Sequence, residues 1–247
     1  MKKLYEKNEV LFAVLWIVAY VVGSSIADQI SEGLGLAKSV TLALHLALSA
    51  ALLGWIKANG LGEKYGFRKP FYPASRFLFY LPLAVVASMG LWNGVGMARG
   101  PVVAVLTALS MLCVGFLEEV IFRGLLFRAM AKDNLRSAIA VSSLTFGLGH
   151  IVNVVNGSGR SLPRTLVQIA FAVMVGFALV QLFYRGGSIW PCVIFHSLNN
   201  ALNAFGVEGS LSPAVEIAVN LALTVVLMGG YALYLQKALP APKDPAA

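Results

Sequence analysis

Charge is scarce in this chain. Asp, Glu, Lys and Arg make up 12% of its 247 residues, against about 25% in an ordinary soluble domain. A water-soluble fold of this size keeps a large exterior, and a sequence that is 58% hydrophobic cannot cover it. Soluble globular classes are thereby excluded. Cysteine is nearly absent. Cys113 and Cys192 both lie in apolar segments, where a thiol behaves as a small hydrophobe, and they make neither a disulfide framework nor a metal site. The few aspartates, Asp28, Asp133 and Asp244, are all expected in loops, which excludes a paired-aspartate site inside a membrane. Ser158 falls in a short polar connection, which argues against a serine nucleophile on a spanning helix. The net charge is +8. Cytoplasmic loops of membrane proteins accumulate Lys and Arg, and no nucleic-acid motif accompanies them here, so no nucleic-acid partner is expected.

What the chain has in quantity is long, unbroken apolar sequence. Such runs predict spanning helices; barrel strands alternate instead. Eight segments, near 9–27, 38–57, 77–97, 101–122, 137–156, 163–184, 188–206 and 212–236, approach the roughly 17–25 residues that a helix needs to cross the hydrocarbon core. The expected fold class is all-α, a polytopic integral membrane protein surrounded by lipid. The first segment follows Lys2 and Lys3 and is read as an uncleaved signal anchor. No lipidation motif is evident at the C-terminal end. With the N-terminal residues placed inside, fifteen of the nineteen Lys and Arg fall on that side. Both termini are then cytoplasmic, and a bacterial inner membrane is the expected location. No internal repeat can be aligned, unlike in transporters built from inverted halves.

The chain divides into an N-terminal part, 1–100, with three helices and a cytoplasmic connection near 58–76; a core of four helices, 101–206; and 207–247, an eighth helix with a Pro- and Ala-rich tail expected to be disordered. The connection mixes Tyr65, Phe67, Arg68, Lys69, Phe71 and Tyr72 and reads as an interfacial segment. Trp16, Trp55, Trp92 and Trp190 are expected in interfacial belts.

The fifth and seventh segments are unusually polar, and polar groups at membrane depth mark functional sites by default. Three clusters stand out. Glu118 and Glu119 precede Arg123. Glu119 and Arg123, four apart on a helix, can pair, which leaves Glu118 pointing elsewhere and free to act as a general base. Phe146 and His150 share a helical face, with Gly147 and Gly149 allowing close approach of a neighbour. His196 and Asn200 lie one turn apart and can both donate to one oxygen, as an oxyanion site requires. Asn199 and Asn203, like Asn153 and Asn156, read as helix glue or cavity lining, and His45 as a hydrogen-bonded packing residue.

In this order, E-E-x-x-x-R, F-x-x-x-H and H-x-x-x-N resemble the CPBP family of intramembrane proteases (CAAX proteases and bacteriocin-processing enzymes, also called Abi), over about residues 101–206. The resemblance implies an endopeptidase acting on a membrane-anchored or lipidated peptide or protein. Glu118 would activate water and His150 would hold it. His196 and Asn200 would stabilise the oxyanion, with Glu119, Arg123 and Phe146 in support. Family members are often described as metalloproteases. Glu118, His150 and His196 could supply three zinc ligands, although the H-E-x-x-H helix is absent and a metal-independent glutamate mechanism is also argued. A cavity open toward the cytoplasm is expected. For all of this to hold, the three clusters must meet at one depth. A proton-coupled transporter, or a non-catalytic scaffold or immunity protein, are the other readings of the same residues.

Overall fold

The computed structural model describes residues 1–155, 162–207 and 212–242. Asn156, Ser158, Arg160, Lys243 and Asp244, with the end of the tail, lie outside the described residues; so does the side chain of Asn153. The chain is all-α. Among the described residues the only β feature is an isolated bridge between Val95 and Gly206.

After a short lead-in helix (Lys2–Lys7), helices α1 (Glu9–Gly33) and α2 (Ser39–Ala58) form an antiparallel pair. The Asn8 side chain caps α1 by accepting from Leu11 N at 2.8 Å. Next come α3 (Leu81–Ser88) and α4 (Pro101–Glu119). Helix α4 runs on through a π-helical turn, Val120–Phe127, whose residues are all buried. Then follow α5 (Leu135–Leu148), α6 (Leu162–Gly186), α7 (Trp190–Asn203), α8 (Pro213–Thr224) and α9 (Gly230–Ala238). The last two are joined by a second π-helical turn, Val225–Gly229.

All eight expected segments contain helix, and among the described residues six helices are long and apolar enough to cross a membrane. The exceptions are the two polar segments. Helices α5 and α7 hold 14 residues each, about 21 Å at 1.5 Å per residue. The third segment also departs from a plain helix. Leu78, Phe79 and Tyr80 take left-handed backbone angles just before α3, and the helical stretch stops at Leu91. Asp28, expected in a loop, lies inside α1. Trp16 and the partly buried Trp55 pack with Phe12, while Trp92 and Trp190 are exposed.

The two ends of the bundle differ. At one end Lys64 and Lys132 both pair with Glu9, Arg76 donates to Ala238 O, and Arg185 donates to Leu239 O. Burial alone would lower the Lys64 ammonium, but its hydrogen bonds to Glu9 and Tyr5 outweigh that and hold it above the ordinary lysine range. The connection near 58–76 does not lie loosely on this end; it closes it. Tyr65 is buried, Phe71 N donates to Gly186 O, and Arg68 Nε donates to Gly187 O. Gly187 has φ +74°, and a Cβ there would lie 2.1 Å from the Phe71 ring, so glycine is required twice over. At the opposite end, Lys38 pairs with Asp28, Arg99 with Glu32, and Gly96 N donates to Phe205 O. These are called the basic end and the far end below.

Candidate active site

Helices α4 and α7 make one of the closest pairings in the bundle. A Cβ on Gly115 would lie 2.4 Å from Ser197 N, so only glycine permits this crossing. Ser197 Oγ donates to Leu112 O at 2.9 Å across it. Ser142 Oγ, from α5, donates to Phe122 O at 2.9 Å. Gly147 lets α5 approach α6, since a Cβ there would meet Val173 and the Ile169 carbonyl. Among the described residues, nothing lies within 4 Å of a Cβ built on Gly149.

These contacts bring the three clusters together. Glu119 is fully buried, and its Oε1 accepts from Arg123 Nη1 at 3.0 Å and from His196 Nδ1 at 2.7 Å. The Arg123 guanidinium lies over the Phe146 ring, 4.1 Å from its centroid. Glu118 points away from that pair, as the helical spacing predicts, but it is not isolated. Its Oε1 accepts from Tyr20 Oη at 2.7 Å, and its Oε2 lies 3.5 Å from His196 Nε2. One imidazole therefore touches both neighbouring carboxylates, each through a different nitrogen. Phe146 stands edge-on between the two histidines, with ring centroids 5.7 Å from His150 and 5.4 Å from His196.

The hydrogen bonds assign protons. A carboxylate and a carbonyl only accept. His196 Nδ1 must therefore carry hydrogen toward Glu119, and Nε2 can donate into the cavity only when the ring holds both protons. His150 Nδ1 donates to Phe146 O at 3.2 Å, which leaves its Nε2 as an acceptor. The Asn200 carbonyl oxygen accepts from Asn199 at 3.3 Å, so the Asn200 amide hydrogens remain available.

Glu118, His150, His196 and Asn200 all line one cavity of about 890 Å³. The lining comes from one half of the bundle. It includes Lys38 and His45 near the start of α2, Trp92 and Asn93 beyond α3, Arg164 near the start of α6, and Val207 after α7. Among the described residues, none of the lining comes from the connections at the basic end. Trp92 and Asn93 are exposed. The cavity thus extends to the far end, not toward the basic loops as expected from the sequence. The reason is the packing at the other end, where Arg123, Phe127, Arg128 and Phe183 are fully buried. Arg128 lies over the Phe183 ring there, 4.6 Å from its centroid.

Tyr20 escaped the sequence reading. Its one signal was a phenol in the middle of an apolar run. Beside it, His45 hydrogen-bonds Ser24 and Ser110 at 2.9 Å each. Among the described residues, no group of three His, Cys, Asp or Glu side chains is arranged to hold a metal ion. The zinc set Glu118, His150 and His196 is not gathered into such a group, although the Nδ1 bonds of both histidines leave each Nε2 turned away from its protein acceptor, as a ligating imidazole would need. No step below is routed through a metal.

Replacing Tyr20 with Phe removes the donor to Glu118 and little else. Hydrogen bonds to charged groups contribute about 1.5–3 kcal/mol, so kcat should fall by roughly 10- to 100-fold with KM nearly unchanged. Steady-state cleavage kinetics of the variant check this.

An all-α bundle with six helices among the described residues long and apolar enough to cross a membrane defines a polytopic integral membrane protein, here with Glu, His and Asn side chains around one internal cavity. Residues 98–202 match the family model described as Type II CAAX prenyl endopeptidase Rce1-like, so this segment is similar to a family of peptidases. The matched stretch holds Glu118, Glu119, Arg123, Phe146, His150, His196 and Asn200. No curated protein and no solved structure matches the chain.

Proposed function

We propose that the chain is an intramembrane endopeptidase of the glutamate type, cutting a peptide bond in a membrane-anchored or lipidated substrate. The observation that carries this reading is the division of labour between adjacent carboxylates. Glu119 is committed to Arg123 and His196, while Glu118, its side chain 13% exposed, faces the cavity. Glu118 takes a proton from water as the oxygen attacks the scissile carbonyl. The free acceptor of His150 orients that water. Asn200 donates to the developing oxyanion, joined by His196 Nε2 whenever that nitrogen carries hydrogen. The proton on Glu118 then passes to the leaving amine, and no covalent intermediate forms. Residues 101–206 act as the catalytic core on this reading. The far-end half of the cavity supplies the wet space that substrate and water need. The membrane is proposed to be a bacterial inner membrane, with the basic end in the cytoplasm.

The test is reconstitution. In liposomes, the purified chain should release a fragment from a lipidated reporter peptide. Asn200→Ala should lower kcat by about 10²–10³-fold, the loss typical of one oxyanion donor. Absence of product from every anchored peptide tried, with the protein folded, overturns the reading.

A further inference from the structure

One histidine has no part in the mechanism above. His45, on α2, is 2% exposed yet borders the cavity. Its Nε2 lies 2.9 Å from Ser24 Oγ on α1, and its Nδ1 lies 2.9 Å from Ser110 Oγ on α4. A hydroxyl can donate or accept, so both bonds form whichever nitrogen holds the hydrogen. The imidazole is thus satisfied at both ends, and it ties three helices together through a rigid plane.

Its placement relates it to the proposed base. Ser24 lies four residues after Tyr20, one turn along the same face of α1. Ser110 lies eight residues before Glu118, a rise of about 12 Å along α4. Two polar links therefore join α1 to α4. Tyr20 Oη donates directly to Glu118 Oε1 at 2.7 Å, and Ser24 reaches Ser110 through His45. The rings of Tyr20 and His45 also touch, with centroids 5.7 Å apart. Helix α1 packs on α2 and on the π-helical turn Val120–Phe127, and α2 packs on α4. Tyr20, Ser24, His45 and Glu118 all border the cavity, so apolar packing surrounds the phenol and its acceptor on one side only.

We propose that His45 is a positioning residue for the general base: by clasping Ser24 and Ser110 it sets α1 against α4 and so keeps the Tyr20 phenol on Glu118. The role rests on the peptidase reading; the clasp itself can be measured without cleavage. With Oε1 held by Tyr20, the carboxylate is fixed in rotation, and Oε2 stays turned toward His196 Nε2, 3.5 Å away. Such orientation matters because a misplacement of about 1 Å in a reacting group can cost about 10²-fold in rate.

The experiment uses the full chain in liposomes with the lipidated reporter peptide. His45→Phe keeps a ring beside Tyr20 and removes both nitrogens. It should lower kcat about 10-fold, and no further than Tyr20→Phe does, with KM nearly unchanged. The double variant Tyr20→Phe, His45→Phe should stay within about twofold of Tyr20→Phe alone, because one residue acts through the other. His45→Gln, which keeps a donor and an acceptor, should restore most of the lost kcat. A His45→Phe chain that cleaves at the parental kcat, or a double variant whose losses multiply, overturns the inference. Should His45→Phe fail to fold, Ser110→Ala takes its place in the same cycle. Melting midpoints in detergent read the clasp directly. Ser110→Ala should lower the midpoint by about 2–4 °C in the parent chain and leave it unchanged in His45→Phe. Equal shifts in both backgrounds overturn the clasp. If the parent chain cuts no peptide, the peptidase reading falls and the role of His45 falls with it, while the melting cycle still decides the clasp.

Discussion

Glu118→Gln is expected to lower cleavage by about 10²–10⁴-fold, the contribution typical of a positioned general base. The substitution keeps the shape and the acceptor that meets Tyr20 Oη at 2.7 Å, and it leaves the Glu119–Arg123–His196 group intact. What it removes is the capacity to take a proton from water. Thermal stability in detergent should therefore match the parent chain while turnover collapses. Side by side, melting curves and initial rates separate this from a folding defect. Undiminished cleavage would remove Glu118 from the mechanism, and with it the division of labour on which the proposal rests.

The second large effect is on stability. Arg123→Leu is expected to cost about 3–5 kcal/mol, the loss seen when one partner of a buried ion pair is removed. Both side chains are fully buried, so the Glu119 carboxylate has no water to turn to. Among the described residues, His196 remains its hydrogen-bond partner, 2.7 Å away. Glu119→Leu combined with Arg123→Met should recover most of the stability, because well-packed apolar residues often replace a buried pair without loss. It should not recover activity, since His196 then loses the acceptor that fixes its Nδ1 proton. Melting midpoints and cleavage rates of the single and double variants check both statements. A single variant as stable as the parent chain would show that the pair adds nothing to the fold.

Much of the site could be read from the sequence because the medium makes polar groups conspicuous. Glu118, His150, His196 and Asn200 stood out as ionisable or amide groups in apolar runs, and the i,i+4 spacing of Glu119 and Arg123 gave their ion pair directly. The fold class followed from hydropathy. What could not be read depends on contacts between distant segments. Tyr20 meets Glu118 across 98 positions of sequence, and nothing local in α1 announces it. That His196 touches both carboxylates depends on the Gly115–Ser197 crossing, for which a single glycine is a weak signal. The shortness of α5 and α7 was visible only as polarity. The direction of the cavity required knowing which connection folds inward. The aromatic and basic stretch after α2 looked like a surface segment, yet Tyr65 is buried and the backbone around Arg68 and Phe71 bonds to the α6–α7 turn.

That inward-folded stretch has a physiological corollary. A peptidase that admits water to mid-membrane depth risks becoming a leak, because a continuous hydrated path would short-circuit the ion gradients its host lives on. On the proposed reading, hydration would end at the aromatic floor lined by Phe122, Phe146 and Phe195, and fragments would leave by the doorway through which the substrate came. The same stopper that makes the chamber a cul-de-sac would thus keep the bilayer an electrical insulator during the proposed hydrolysis.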